Sequence, residues 1–545
     1  MIVSYSAGDP KSTGPVAVCI IGAGAAGITL ACELDGSGIE VLLLEAGGTK
    51  LDLAASGEHY RGTTTAPHPE PNEYRRAGLG GTTRIWGGRC VPFDPVDFEK
   101  REHVPHSGWP IGYDDVARHY PRALAYCHAG VFDFTVAGSL PGEGPTLPGL
   151  ENAGDVLLDR IERYSLPTDF GREHRKQLAR STNVTVLLDV RCLRLQKKGG
   201  EDVIEAVEVV DRAGRRGTIR ASRFVVACGG IETTRLLFAS DPEGPGLGNR
   251  TDRLGRFYAC HFEKVVARLV AGKTPVAFNF ERSKEGVYVR RKLQFAAAAQ
   301  RAHRLLNTAF RLHFPDYSDA SHRSGVMSTI FLAKSTLIAE YRDILQHGDT
   351  AQVASPRSAH VRNMILGAPE VAKFGYDWLF KRVLARRKLP YTLMRNADGT
   401  YPLEFNSEQI PLEDSRLTMG SDTDRDGLRR IHVQWRIGEE DVQAAARSFV
   451  VLRDTIAATT SCRVEFDEAA LVPSLRTSVP VGGHHIGTAR MAASERDGVV
   501  DADCAVFGLP NLFLASSAVF PTSSHANPTL TIVALAIRLA AHLKA

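Results

Sequence analysis

Gly22-x-Gly24-x-x-Gly27, followed 18 residues later by Glu45, is the first set of residues whose types and spacing imply chemistry. A glycine at the first position permits a tight turn. One at the second lets the backbone approach a pyrophosphate, and one at the third lets a helix pack closely on a strand. The pyrophosphate then rests on the helix N-terminus, where unpaired N–H groups and the helix dipole favour an anion. A carboxylate at Glu45 is placed to accept from ribose hydroxyls and would repel a 2′-phosphate, which argues against NADP. A second cluster packs five glycines, Gly78, Gly80, Gly81, Gly87 and Gly88, into eleven residues around Thr82, Ile85 and Trp86. Such a loop can wrap a large flat ligand with backbone N–H groups, a device that simple NAD enzymes do not need.

These residues require a strand–turn–helix–strand unit, and the apolar pattern supplies one. Residues 16–21 suit a strand buried on both faces, 28–34 fit a helix, and 39–44 fit a second buried strand ending at Glu45. Residues 115–129 read as one helix. Residues 180–197 and 202–210 read as strands, with a turn at 211–214 that suggests a hairpin. Residues 224–227 make another buried strand, and 232–240 a helix. The middle, 265–475, alternates strands with polar loops. The chain ends with a buried strand at 512–515 and a helix from Pro528 onward. Dinucleotide-type features thus fall at the start, near 190–240 and at the end. That distribution predicts one nucleotide domain assembled from separated segments around an inserted substrate domain.

Several motifs in this order resemble the glucose–methanol–choline (GMC) oxidoreductase family. They are residues 22–27 with Glu45, Gly80-Gly81-Thr82, His484-His485-Ile486-Gly487-Thr488-Ala489-Arg490-Met491, Ser517-Ala518-Val519-Phe520-Pro521-Thr522, and Asn527-Pro528-Thr529. The resemblance covers both ends and the 180–240 region; in the middle third only residues 411–418 add to it. It implies an α/β fold in which a Rossmann-like FAD-binding domain is discontinuous over 14–115, 176–262 and 478–545. The inserted α+β substrate domain, built on an antiparallel sheet, takes 116–175 and 263–477, and residues 1–13 are a flexible tail. It also implies oxidation of an alcohol by hydride transfer to flavin N5. In that arrangement Cys192 touches the adenine through its backbone, and Gly80, Gly81 and Thr82 lie along flavin and pyrophosphate. Asp501 and Ser517 close over the cofactor. Some sugar-oxidising members link FAD to a histidine in the second glycine loop. Residues 78–90 contain none, so noncovalent FAD is expected, with His103 and His106 as the remaining points of attachment.

Oxidising an alcohol needs a base for the hydroxyl proton, and histidine suits the task because its ordinary pKa is near 6.5. By resemblance His484, three residues before Gly487-Thr488, is that base. His485 is its neighbour, and on an extended backbone the two side chains face opposite ways, so only one meets the flavin. Asn527 is the expected partner of the base. His525 is the alternative, since some relatives carry a second histidine at the matching place. Asn527 also reads as an N-cap before Pro528. The helix that starts there, with Thr529, would direct partial positive charge toward the flavin's pyrimidine edge. The forms of 86–88 and 487–491 look most like the pyranose- and glycoside-oxidising branches, so a sugar, glycoside or polyol is the expected substrate. A simple-alcohol dehydrogenase with an acceptor other than oxygen is the alternative. Two others are a non-redox flavin-containing lyase and a nonenzymatic FAD-bound partner; the presence of both His484 and Asn527 argues against the last.

Composition narrows the setting. Of 545 residues, 43% are hydrophobic and 23% charged, which excludes disordered, collagen-like and disulfide-scaffold classes. A net charge of +4 gives no reason to expect nucleic acid. The nine cysteines form no CxxC pair, so no zinc site or disulfide framework is expected, and a reducing, cytoplasmic setting is. The longest apolar stretch, 16–31, is too short and too glycine-rich to span a membrane. Residues 373–388 hold six basic residues against one acid, with aromatics interleaved. They read as a helix with a solvated cationic face or as an arm in a homo-oligomer contact; membrane contact is not expected. The expected partners are a hydroxylated small molecule and oxygen or another electron acceptor.

Overall fold

The computed structural model describes residues 1–7, 16–314, 317–333, 355–391, 394 and 399–545. Two nine-stranded sheets organise them. In the first, Val16–Ile21 lies at the centre, parallel to Val41–Leu44 on one side and to the end of Arg216–Val226 on the other. Helix Ala25–Leu34 makes the crossover, and helix Thr529–Lys544 packs on it. Both central strands are apolar throughout because they are covered, by helix Ala25–Leu34 and, over Val41–Leu44, by strand Val190–Lys197.

The strand expected at 224–227 is longer, Arg216–Val226, and serves two partners. Its first half pairs antiparallel with Ile204–Asp211, and its second half pairs parallel with Val16–Ile21 and Leu509–Leu514. The residues record the change: burial alternates where one face is wet, then becomes continuous at Phe224, Val225 and Val226.

Three expectations need correction. The tail expected at 1–13 begins as a strand. Ile2–Ser4 pairs parallel with residues 186–188, and the Met1 amino group donates to Val184 O at 2.8 Å. Three residues with two β-branched side chains suffice where a sheet edge is open. Residues 8–13 lie outside the described residues. The helix expected at 115–129 is two helices, Tyr113–Ala117 and Tyr120–Tyr126, because Pro121 cannot sit in a helix interior and instead starts the second. That second helix packs on Thr529–Lys544, with Tyr120 Oη 3.0 Å from Thr531 Oγ1. Residues 116–126 therefore belong to the first core, not to the second sheet as the expected boundary had it.

The second sheet is antiparallel along Arg89–Cys90, Leu158–Tyr164, Tyr288–Gln294, Thr308–Leu312, Thr400–Ser407 and Phe262–Val270. One face carries Phe262, Leu293, Phe310 and Phe405 and packs on helix Glu439–Thr459 through Phe449. Period-2 alternation puts Glu162, Glu263, Arg290, Lys292, Gln294, Arg311, Glu404 and Asn406 on the other face. This polar face turns toward the first domain's histidines.

Residues 373–388 fall on helix Ala368–Trp378 and the wider turn Leu379–Val383. They expose Tyr376, Phe380 and Leu384 as well as cations, so the face is not simply a solvated cationic one. All nine cysteines are free thiols. Among the described residues no helix is long and apolar enough to cross a membrane.

Candidate active site

Residues of both glycine clusters, Gly22, Gly24 and Gly81, line one cavity. Gly22 takes φ +104°, and a Cβ there would lie 2.7 Å from Ala227 O. Gly27 is closed to any side chain, since its Cβ would fall 1.9 Å from Gly22 O. Gly24 differs: a Cβ would meet no atom within 4 Å, and the residue lines the cavity. Gly80 N donates to Ala23 O at 2.8 Å, which ties the second loop to the first. The Glu45 carboxylate accepts from the N–H groups of Ala23, Gly47 and Gly78 at 3.0, 2.9 and 2.8 Å. Burial raises its pKa against the pull of those three bonds. Glu45 thus joins both glycine loops, with one lone pair left on Oε2 of a residue that lines the cavity.

Of the expected cofactor residues, Gly22, Gly24, Glu45, Gly81, Thr82, Cys192, Ser517 and Thr529 line the cavity, together with His484 and His485. Gly27, Gly80 and Asn527 support that wall without lining it. Asp501 lies elsewhere and corrects an expectation: its Oδ1 accepts from Asp503 N and Ala505 N at 2.9 Å each and so holds a turn. The Ser517 hydroxyl is spent on His485 O at 2.6 Å.

A chain of four groups fixes the protons on His484. Ser523 O can only accept, so His261 Nε2, at 3.0 Å, must donate to it. His261 Nδ1 then carries the lone pair and accepts from His484 Nδ1–H at 2.9 Å. That leaves the His484 lone pair on Nε2, where Asn527 Nδ2 donates at 3.0 Å. The tautomers are assigned from this network, and the network admits one arrangement as long as both rings are neutral. They are: burial, then the neighbouring His261, Arg89 and His485, hold His484 well below its ordinary pKa. Burial brings His261 down to about 4.

His485 faces the other way, as alternation requires. Its Nδ1 is 2.8 Å from Tyr258 Oη, which is 2.7 Å from His68 Nε2 and 3.3 Å from Cys260 Sγ. The ligand-type atoms of His68, Cys260 and His485 lie within 4.8 Å of one another. The Tyr258 hydroxyl stands among them and bonds all three, so the cluster is a hydrogen-bonded network. His525 is hydrogen-bonded through Nε2 to buried Lys292 Nζ, and burial lowers the pKa of both.

Residues 411–536 match the family model described as GMC oxidoreductase. Over that segment the chain is similar to GMC oxidoreductases. It is similar to paromamine 6′-oxidase of Streptomyces fradiae, at 24% identity over 96% of this chain and 90% of that one. It is also similar to the fructose dehydrogenase large subunit of Gluconobacter japonicus, at 23% identity over 96% of each. Among solved structures, pyridoxine 4-oxidase from Mesorbium loti shares the fold, with a TM-score of 0.53, 17% identity and coverage of 97% and 99%.

The structure brings His484 and Asn527 together and separates His485 from them. It adds groups that no motif marked: His261, Tyr258, His68, Arg89 and Lys292. The only sequence signal for His261 is a histidine held between Cys260 and Phe262, just ahead of a buried strand. A polar residue in such a place needs a partner.

Proposed function

We propose that this enzyme binds FAD noncovalently in the cavity between its glycine loops. There it oxidises a hydroxyl-bearing carbon of a sugar, glycoside or polyol to a carbonyl, with His484 Nε2 as base. The cavity walls fit the group. Gly24 leaves room where a side chain would intrude, Glu45 offers a lone pair to a ribose hydroxyl, and helix Thr529–Lys544 points its N-terminus inward. FAD, when bound, supplies the hydride acceptor. The fructose dehydrogenase subunit among the relatives, which names a sugar as its substrate, supports the polyhydroxylated reading.

The observation that carries the proposal is the lone pair on His484 Nε2, which at rest accepts from the Asn527 amide at 3.0 Å. A substrate hydroxyl that takes the place of the amide at Nε2 donates its proton there and accepts from the released Asn527 Nδ2–H. Because burial keeps His484 neutral, the base is ready without first losing a proton. Proton uptake places positive charge on the ring, and the Nδ1–H bond to His261 then becomes charge-assisted and stronger.

The test is anaerobic mixing of the FAD-loaded enzyme with a panel of sugars, glycosides and simple alcohols, followed by flavin absorbance. The panel should contain a donor that bleaches the flavin, and acid precipitation should release the FAD. His484→Ala should still bind FAD but be reduced at least about a hundredfold more slowly, the scale of acid–base contributions. Near-wild-type bleaching in that variant would remove His484 from the role. Hydrogen peroxide formation in air distinguishes oxygen from another acceptor.

A further inference from the structure

The polar face of the second sheet holds charge in an order that the base and its partner do not use. His261 and Glu263 are two residues apart and project to the same side, about 7 Å from each other along the chain. Cross-strand register runs from Glu263 to Asn406, Ala309 and Gln294. The next row pairs Arg311 with Glu404. Arg311, fully buried, reaches Glu162 and Glu404 at 3.0 Å each and Glu263 at 3.4 Å. One guanidinium thus fixes three carboxylates before any ligand arrives.

Capacity is left over. Glu404 Oε2 and Asn406 Oδ1 are buried and accept no hydrogen bond, and Asn406 is wholly enclosed, with its amide nitrogen bonded to Glu263. The Glu263 side chain keeps 27% of its surface open. Arg89 stands opposite. Among the described residues its guanidinium makes no hydrogen bond, and the nearest carboxylate oxygen, Glu162 Oε1, is 3.9 Å away. Its charge opposes protonation of His484, His261 and His525, so it stands near the base. Buried acceptors left unpaired are costly, and five spare N–H donors beside them are unusual.

We propose that Arg89, Glu263, Glu404 and the Asn406 carbonyl form a wall that reads the non-reacting hydroxyls of a neutral polyhydroxylated ring. The acceptors take hydroxyl protons while Arg89 donates to a hydroxyl oxygen. The face carries both signs of charge: Arg89, Arg290 and Arg311 stand against Glu162, Glu263 and Glu404, while burial lowers the pKa of Lys292 and raises that of Glu263 to about 7, which favours the neutral form of each. A substrate ammonium or carboxylate would meet one sign of charge only by opposing the other. The inference rests on the reaction proposed above and names the groups that set its substrate class.

The test uses FAD-loaded enzyme and the glycoside that bleaches the flavin fastest, with its monodeoxy analogues, a uronate, an amino sugar and cyclohexanol. In the wild type, removal of at least one non-reacting hydroxyl should lower the reduction rate at limiting substrate tenfold or more. A site built to bond a hydroxyl discriminates strongly against its loss. In Glu404→Gln, Glu263→Gln or Arg89→Met that deoxy penalty should shrink to less than about threefold for the hydroxyl each residue reads. Arg89→Lys, with the same charge, serves as the second variant if Arg89→Met fails to load FAD. An unchanged deoxy penalty in every variant overturns the wall, as does a wild type that prefers the uronate or the amino sugar. Bleaching by cyclohexanol and not by any polyol overturns the wall but leaves the oxidation reading standing. No bleaching by any hydroxyl compound overturns the oxidation reading itself.

Discussion

Replacing His261 with phenylalanine removes the acceptor for His484 Nδ1–H and keeps a ring in the space. His484 then has two poor choices. It keeps its proton on Nδ1, buried without a partner, or it moves the proton to Nε2, where it faces the donating amide of Asn527 and no lone pair remains for the substrate. An unmet buried donor costs about 1–3 kcal/mol. If that cost appears as loss of the reactive tautomer, flavin reduction at saturating substrate slows about 5- to 160-fold. His261→Asn separates positioning from mere packing. Asparagine Oδ1 sits where His261 Nδ1 does and can accept the same proton, so this variant should recover to within about tenfold of wild type. The assay is stopped-flow reduction of FAD-loaded protein, with the visible flavin spectrum as the check on loading. Equal slowing by His261→Asn and His261→Phe would refute the tautomer argument. So would a His261→Phe variant as fast as wild type.

Asn527→Ala removes the amide that faces His484 Nε2 and should slow flavin reduction about 5- to 160-fold, the worth of one donor to a buried acceptor. The acid limb of kcat/KM should lie below pH 6.5: burial and nearby cations depress the His484 pKa, so the lone pair survives to lower pH. A limb at or above 6.5 would contradict this. Stability follows the same sign. The buried His68 and His261 have folded pKa values of about 4, so the unfolded chain binds more protons below 6.5 and stability is lost as pH falls from there toward 4. The two together remove about 2.7 kcal/mol per pH unit within that window, read as a falling Tm of the FAD-loaded enzyme. Gly24→Ala should fold with an unchanged Tm but retain FAD less well, because its Cβ enters the cavity. Gly27→Ala, with its Cβ 1.9 Å from Gly22 O, should lower Tm even without FAD.

The cofactor end was legible because its signals are local. Gly22, Gly24 and Gly27 each answer to a backbone constraint that lies between neighbouring strand and helix, and Glu45 ends the adjacent strand. The base was legible only through the resemblance of residues 484–491; a lone histidine carries no such message. Its support was not legible. His261 is 223 residues from His484 and Asn527 is 43 away on the other side, and what unites them is tertiary packing rather than spacing. The polar wall is hidden for a related reason. Arg290, Arg291 and Lys292 are three consecutive cations between Val289 and Leu293, and nothing in that run signals burial. In fact all seven residues of Tyr288–Gln294 are buried, and the polar side faces a charged interior. Asp501 was expected on the cofactor through the resemblance alone, and its carboxylate is instead used to hold a turn.

One tension in the site resolves through the same chain of histidines. Burial and the cation Arg89 make His484 a weaker base than a histidine in water, which on its own would slow proton uptake. It also means that no fraction of the enzyme is lost to prior protonation at neutral pH. The weakness matters only while the ring is neutral. As the hydroxyl proton arrives, Nδ1–H becomes the donor of a cation, and His261 Nδ1 is already 2.9 Å away with its lone pair aligned and its own ring anchored on Ser523 O. A charge-assisted bond is about twice as strong as a neutral one. The site therefore stabilises the protonated base more than the resting one, which is the differential that accelerates a reaction. Arg89 opposes that charge, and a substrate hydroxyl that engages its guanidinium would moderate the opposition at the moment the proton moves. The wall and the base are then coupled. A ring with the right hydroxyls binds better and also finds a stronger base, so its advantage over a simple alcohol should show in the reduction rate at saturation as well as in binding.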